Sequence, residues 1–235
     1  MALSSRSILA AGFVLVAAVC ARLGVWQVSR LKERRAANAV ALAARAAAAL
    51  RLNGQNLDSS ALNRRVSVRG RYDHTHDMIL RGRGYGGSPG VEVVTPLRQL
   101  IGDTAILVNR GFVPSPDAVT ADLGKLQETS VVQVEGIALA LDSAGGAPLK
   151  RGGLTSWSRL DRQAIAKALP YPVAPLYIRQ APDPALPSFP RRLAPPSLDD
   201  GPHMSYAIQW FAFTIIALVF AGVVLRKGAP PGNSG

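Results

Sequence analysis

Cysteine is almost absent. Cys20 is the single one, and it lies inside an apolar run. Disulfides and cysteine-based metal centres within one chain are thereby excluded. Histidine is nearly as scarce: His74, His76 and His203 are the three. With only three methionines there is little of the soft sulfur that copper-delivery sites favour. Acidic residues are few, 15 against 27 Lys+Arg, for a net charge of +12. The basic residues are spread along the chain without a base-reading motif, which weighs against a nucleic-acid partner. No G-x-S-x-G, no H-E-x-x-H and no convincing acid pair is present, so a hydrolase reading is poor.

Long apolar runs, by contrast, are plain. Ser205–Leu225 carries no charged side chain, and at about 1.5 Å per residue it extends roughly 30 Å, the thickness of a hydrocarbon core. Arg226-Lys227 closes it at headgroup level. Ile8–Ala21 is also apolar, and the run continues past Arg22, which can snorkel, to Trp26. Continuity beyond Val19-Cys20-Ala21 favours a retained span over a cleaved signal peptide. Arg30, Lys32, Arg34 and Arg35 follow as a candidate contact to anionic lipid or another anionic membrane partner. From there to Leu52 the sequence is rich in Ala, Arg and Leu, which predicts a helical stalk ended by Asn53-Gly54.

From Leu62 the pattern turns to strands. Val66 and Val68 alternate with Arg65, Ser67 and Arg69; Met78–Leu80, Val91–Thr95, Ala105–Val108, Val131–Val134, Gly136–Leu141 and Leu176–Arg179 are further extended runs. Asp161 is a candidate N-cap for a short helix whose face is Ile165 and Leu169, stopped by Pro170. Pro182, Pro184, Pro187, Pro190, Pro195 and Pro196 predict an extended, semi-rigid linker. The expected fold class is membrane α+β: two transmembrane helices flanking a mostly antiparallel β domain with one or two short helices. The expected divisions are an amino-terminal segment 1–7, a first span 8–26, a stalk 27–52, a β-rich domain 53–180, a Pro-rich linker 181–203, a second span 204–225 and a tail 226–235.

Four places carry candidate chemistry. Gly82-Arg83-Gly84-Tyr85-Gly86-Gly87 satisfies G-x-G-x-x-G, but a β run follows instead of a helix, so a glycine loop between strands is the better reading. His74 and His76, flanked by Asp73 and Asp77, would share a face if they lay in a strand; a copper or zinc site there lacks a visible third ligand. Arg110, in Asn109-Arg110-Gly111, is placed either to clamp a carboxylate or to satisfy an internal carbonyl or acid. At the second span, His203 precedes Tyr206, Gln209, Trp210 and Phe213, which fall at i, i+3, i+4, i+7 spacing. An aromatic membrane belt accounts for Tyr206 and Trp210; it does not require His203.

Four stretches together resemble the surfeit locus protein 1 family, which assists assembly of haem–copper cytochrome c oxidases. They are Leu23-Gly24-Val25-Trp26-Gln27-Val28-Ser29-Arg30; Arg65 to His74; Val93-Val94-Thr95-Pro96-Leu97 followed by Val108 to Pro114; and His203 to Phe211. The chain departs from the family in having Gly201-Pro202 before the histidine, where polar residues are usual. The resemblance implies a non-enzymatic factor in the bacterial inner membrane, with both termini cytoplasmic and the large domain periplasmic. The basic residues after the first span, counted by the positive-inside rule, favour the opposite orientation, whereas Arg226-Lys227 supports this one. The resemblance further implies that the chain binds or presents haem a for insertion into cytochrome c oxidase subunit I, with haem a synthase as a further candidate partner. His203 is then the candidate iron ligand. Tyr206, Trp210 and Trp26 are candidates to stack on the porphyrin, and Arg30 to pair with its propionates. The rival readings are a copper metallochaperone resting on His74 and His76, and a cofactor-free scaffold for the same oxidase.

Overall fold

Why the chain separates into two regions is visible in its periodicity: long apolar helices at either end of the sequence, short alternating strands between. The computed structural model describes residues 4–226 except 129, 146, 147 and 152. Lys227 and the rest of the expected tail lie outside the described residues. The chain divides at Val40/Ala41 and at Ser197/Leu198 into two compact units.

The first unit is a helix pair. Helix α1 spans Ser5–Ala46 and the last helix, α3, spans His203–Arg226. Both are long and apolar enough to cross a membrane. Ala10, Ala17, Cys20, Gly24, Gln27 and Leu31 form the buried stripe of α1, at heptad spacing. Ala207, Ala217 and Ala221 are buried on α3, with His203, Trp210 and Thr214 half-buried at the intervening heptad positions. Small residues on both sides let the two backbones approach closely, as apolar helices in lipid require. Phe13 stacks on Phe220, ring centroids 5.6 Å apart. Gly24 faces the Phe211 ring, where an added Cβ would lie 2.8 Å from Cε1. Further along, Arg35 pairs with Asp200 at 2.8 Å and Asn38 donates to the Asp199 carbonyl at 2.9 Å.

Among the described residues, the second unit is built on nine strands. They are β1 (Leu50–Leu52), β2 (Arg65–Tyr72), β3 (Met78–Tyr85), β4 (Ser88–Gln99), β5 (Ala105–Pro114), β6 (Val132–Ala140), β7 (Leu149–Arg151), β8 (Leu154–Trp157) and β9 (Val173–Gln180). Helix α2, Arg162–Ala168, precedes β9. The sheet order is β1-β2-β6-β9-β5-β4-β3-β8-β7, and an additional pairing of β2 with β4 closes β2, β6, β9, β5 and β4 into a barrel. Pairings are mainly antiparallel, but β1–β2, β3–β8 and β5–β9 are parallel. One core, including Val66, Val68, Leu97, Ile106, Val108, Val134 and Ile178, is formed by one set of strand faces. A second, around Met78, Leu107, Trp157, Leu160 and Ile165, packs with α2. Asp161 caps α2, its carboxylate accepting from Ala164 N at 2.8 Å.

Three local expectations change. The stalk helix stops at Ala46, and Leu50–Leu52 is instead strand β1, because Leu52 is buried against the barrel and pairs with Val68. His74 and His76 lie in a 3₁₀ turn, not a strand; Asp73 starts that turn by accepting from Thr75 N. The proline-rich segment is not simply a free spacer. Arg191 pairs with Phe112 of β5, and Arg192 is buried. Gly111, at φ 117°, makes this possible, since a Cβ there would overlap the Arg191 carbonyl. The glycine-rich 82–87 stretch is the end of the β3–β4 hairpin, as its sequence implied.

Candidate functional site

His203 opens α3 as a half-buried residue on the seam of the helix pair. Its Nδ1 lies 2.8 Å from Gln27 Oε1. Gln27 is only 8% exposed and belongs to the buried stripe of α1. With the amide oxygen as acceptor, Nδ1 carries the hydrogen and Nε2 keeps its lone pair. No hydrogen bond to Nε2 is present among the described residues. A buried partner that fixes ring orientation and tautomer is what a ligating histidine ordinarily has.

The other residues singled out from the sequence distribute around this point. Trp210 is half-buried on the same seam, edge-on to Phe213 with centroids 5.9 Å apart. Tyr206 (46% exposed) and Phe213 turn outward, as does Gln209. Their i, i+3, i+4, i+7 face is therefore not the packed face; the seam runs through His203, Ala207, Trp210 and Thr214 instead. Trp26, 51% exposed, carries the Arg30 guanidinium 6.0 Å from its ring centroid. Arg30 also pairs with Glu33 at 2.7 Å on the helix surface. The structure brings His203 and Gln27 together and Trp26 and Arg30 together; Tyr206 stands separately. Gln27 was not singled out from the sequence. The signal was there: Gly24, Gln27 and Leu31 fall at heptad spacing just where the apolar run ends.

The β domain uses its polar groups differently. Arg110, 1% exposed, donates to the Leu126 carbonyl and to Glu128 Oε1 (2.6 Å), and its guanidinium lies 4.9 Å from the Tyr72 ring centroid. Arg192 donates to the same Glu128 oxygen at 2.9 Å, to Gln180 and to the carbonyls of Pro187 and Pro190. Burial lowers the Arg192 pKa, against the opposing pull of Glu128, and burial drives the Tyr72 phenol up. The open choice at Arg110 is thus resolved: it holds both an internal carbonyl and an internal acid. Glu128, which lies in an irregular segment between strands, offered no periodicity by which to find it.

His74 belongs to this network. Its Nε2 accepts from Glu128 N at 2.9 Å, and its Nδ1 faces Asp77 Oδ2 at 3.0 Å. Both nitrogens are engaged, leaving none for a metal. His76 Nδ1 faces Asp73 Oδ2 at 2.8 Å, and Tyr171 donates to the same oxygen at 2.6 Å. Burial pushes the Asp73 carboxyl up, but hydrogen bonds from Thr75, Tyr171 and His76 bring it down to about 2. Among the described residues no group of three His, Cys, Asp or Glu is arranged to hold a metal ion.

Comparison with known proteins then decides the lineage. A family model described as the SURF1 family matches residues 14–215. The chain belongs to the SURF1 family. It is 29% identical over 220 residues to a SURF1-like protein of Monosiga brevicollis, covering 88% of this chain and 83% of that protein. Uncharacterised SURF1-like proteins of Mycobacterium tuberculosis and Mycobacterium bovis are each 29% identical over 170 residues. Those matches cover 70% of this chain and 62% of the mycobacterial proteins. The match to the family model includes both Gln27 and His203.

Proposed function

We propose that this SURF1-family chain is a membrane-anchored, non-enzymatic assembly factor that presents haem a for insertion into cytochrome c oxidase subunit I. The observation that carries the reading is the Gln27–His203 pair, with the Nε2 lone pair left open at the start of α3. An imidazole nitrogen with its lone pair is a suitable haem-iron ligand. The donor set therefore fits a haem cargo: His203 would take the iron, and Trp210 and Tyr206 would offer ring surface. Trp26 and Arg30 would meet the porphyrin edge and its propionates. Outward apolar side chains such as Phe213 and Ile216 give a hydrophobic cargo surface to lie against. In this reading the protein lies in the bacterial inner membrane with its β domain in the periplasm, and haem a synthase is a candidate donor.

The test is the visible spectrum of the detergent-purified full chain from cells that make haem a. Wild type should show a Soret band, and His203→Ala should lose most of it at equal protein yield. The double change His74→Ala, His76→Ala should keep haem per folded molecule. Unchanged haem in a well-expressed His203→Ala protein sinks the reading. Bound copper would point to the metallochaperone, and no cofactor to the scaffold.

A further inference from the structure

The β domain carries a cavity of about 290 Å³ where the His74–His76 turn, the start of β3, strand β8 and the end of α2 come together. Its apolar walls include Met78, Leu154, Trp157 and Leu169. Small-molecule sites ordinarily occupy roughly 300–1,000 Å³, so this cavity suits a molecule of single-ring size and is too small for a porphyrin.

The charged groups around it are already committed within the fold. Asp73 Oδ1 accepts from the Thr75 N–H and hydroxyl, while its Oδ2 accepts from Tyr171 and faces His76 Nδ1 at 2.8 Å. Asp77 accepts from the Thr95 hydroxyl and faces His74 Nδ1 at 3.0 Å, and the other His74 nitrogen is taken by Glu128 N. His76 Nε2 is what remains. With a carboxylate as its partner, Nδ1 carries the hydrogen, so in the neutral ring Nε2 is an acceptor. It has no partner among the described residues. Tyr171 stands edge-on to this imidazole, ring centroids 5.7 Å apart, and helps to fix its plane. Asp73 thus orients His76 much as Gln27 orients His203. One donor is unspent as well. Trp157 is 1% exposed, and its indole N–H has no hydrogen-bond partner among the described residues. A buried polar group left in that state calls for a partner.

The unspent groups select the occupant. Two carboxylates beside the cavity disfavour an anion. No oxygen of either is without a partner, so an ammonium group gains little there. One free nitrogen is too few for a metal ion. A hydroxyl, by contrast, can donate to an acceptor and accept from a donor through a single oxygen. We propose that this cavity binds a small neutral molecule of the phenol class, its ring against Trp157 and the aliphatic walls and its hydroxyl donating to His76 Nε2. Asp73 is then a positioning residue, acting through His76.

The test is a titration of the detergent-purified full chain, with histidine and tryptophan side chains labelled by nitrogen-15, against 4-methylphenol and against toluene. At about pH 8 imidazoles are neutral, since the ordinary histidine value is about 6.5. Three histidines and three tryptophans keep the spectra simple to assign. 4-Methylphenol should shift the His76 Nε2 and Trp157 indole resonances saturably and leave His74, His203, Trp26 and Trp210 in place. Toluene, which has the ring without the hydroxyl, should bind about tenfold more weakly, the upper end of one net hydrogen bond. His76→Phe, followed at the Trp157 resonance, should remove the preference for 4-methylphenol over toluene. Leu154→Phe, which narrows the cavity and keeps His76 as reporter, should weaken both ligands. The proposal is overturned by the absence of a saturable shift, by shifts spread alike over all three histidines, or by equal binding of toluene. A preference that survives His76→Phe, or binding that is indifferent to Leu154→Phe, overturns it too.

Discussion

The helix pair and the β domain bury polar side chains in opposite ways. In the barrel, the Glu128 carboxylate is shared by Arg110 and Arg192, and its backbone N–H donates to His74, so a strand, a turn and the proline-rich segment are tied to one residue. In the helix pair, a seam of alanines, Cys20 and Gly24 contains one such contact, Gln27 to His203. One histidine has both nitrogens engaged by the fold, and the other has one engaged and one open. The difference teaches that imidazole alone does not mark a site; what its second nitrogen is left to do marks it.

The largest break in that comparison should come from Glu128→Leu. Two guanidiniums would then be buried without their carboxylate, and loss of one partner of a buried pair costs about 3–5 kcal/mol. Thermal unfolding of the purified protein should shift down steeply, while haem per folded molecule stays at the wild-type level. A haem loss matching His203→Ala would show that the two polar clusters are not separate in function.

Gln27→Leu should act on the other side, with a smaller effect on stability of about 1 kcal/mol, the usual net value of one hydrogen bond. Its signature is functional: haem content falls several-fold with the unfolding transition barely moved. Gln27→Glu, which keeps an acceptor facing Nδ1, should retain more haem than Gln27→Leu. Equal loss in both variants would show that Gln27 packs the seam without positioning the imidazole.

The smallest effect concerns Asp73. Its folded-state pKa of about 2 lies below the ordinary aspartate value of about 3.9. A depressed carboxyl stabilises the fold fully above its unfolded pKa and loses that contribution as pH falls toward the folded value. Wild type should therefore lose stability between about pH 4 and pH 2, and Asp73→Asn should flatten that limb when unfolding is followed across the same range. An acid limb of equal slope in both proteins would remove Asp73 from the account.

Much of this could be read from the amino acids because the signals were local. The alternation around Val66 and Val68, the Asp161 cap and the two apolar runs each need only neighbours in sequence. The stalk was read too far because good helix formers continue to Leu50–Leu52, where burial of Leu52 and pairing with β2 override propensity. His74 and His76 were spaced for a strand face, but the Asp73 cap turns the chain into a 3₁₀ helix before any ladder can form. The outward face of Tyr206, Gln209 and Phe213 drew attention because its side chains are large and distinctive. The real seam is made of small residues whose heptad spacing is quieter.

By itself, then, the sequence determined the two apolar helices, the run of short strands between them, and the family motifs that include Gln27 and His203. Hydropathy and alternation are short-range properties, carried by consecutive residues. Only the tertiary structure decided that β2 meets β4 to close the barrel, that Glu128 is shared by Arg110 and Arg192, and that Gln27 faces His203. Each of these joins residues far apart in the chain. A period of two or seven states which face is buried, but not which distant face it is buried against.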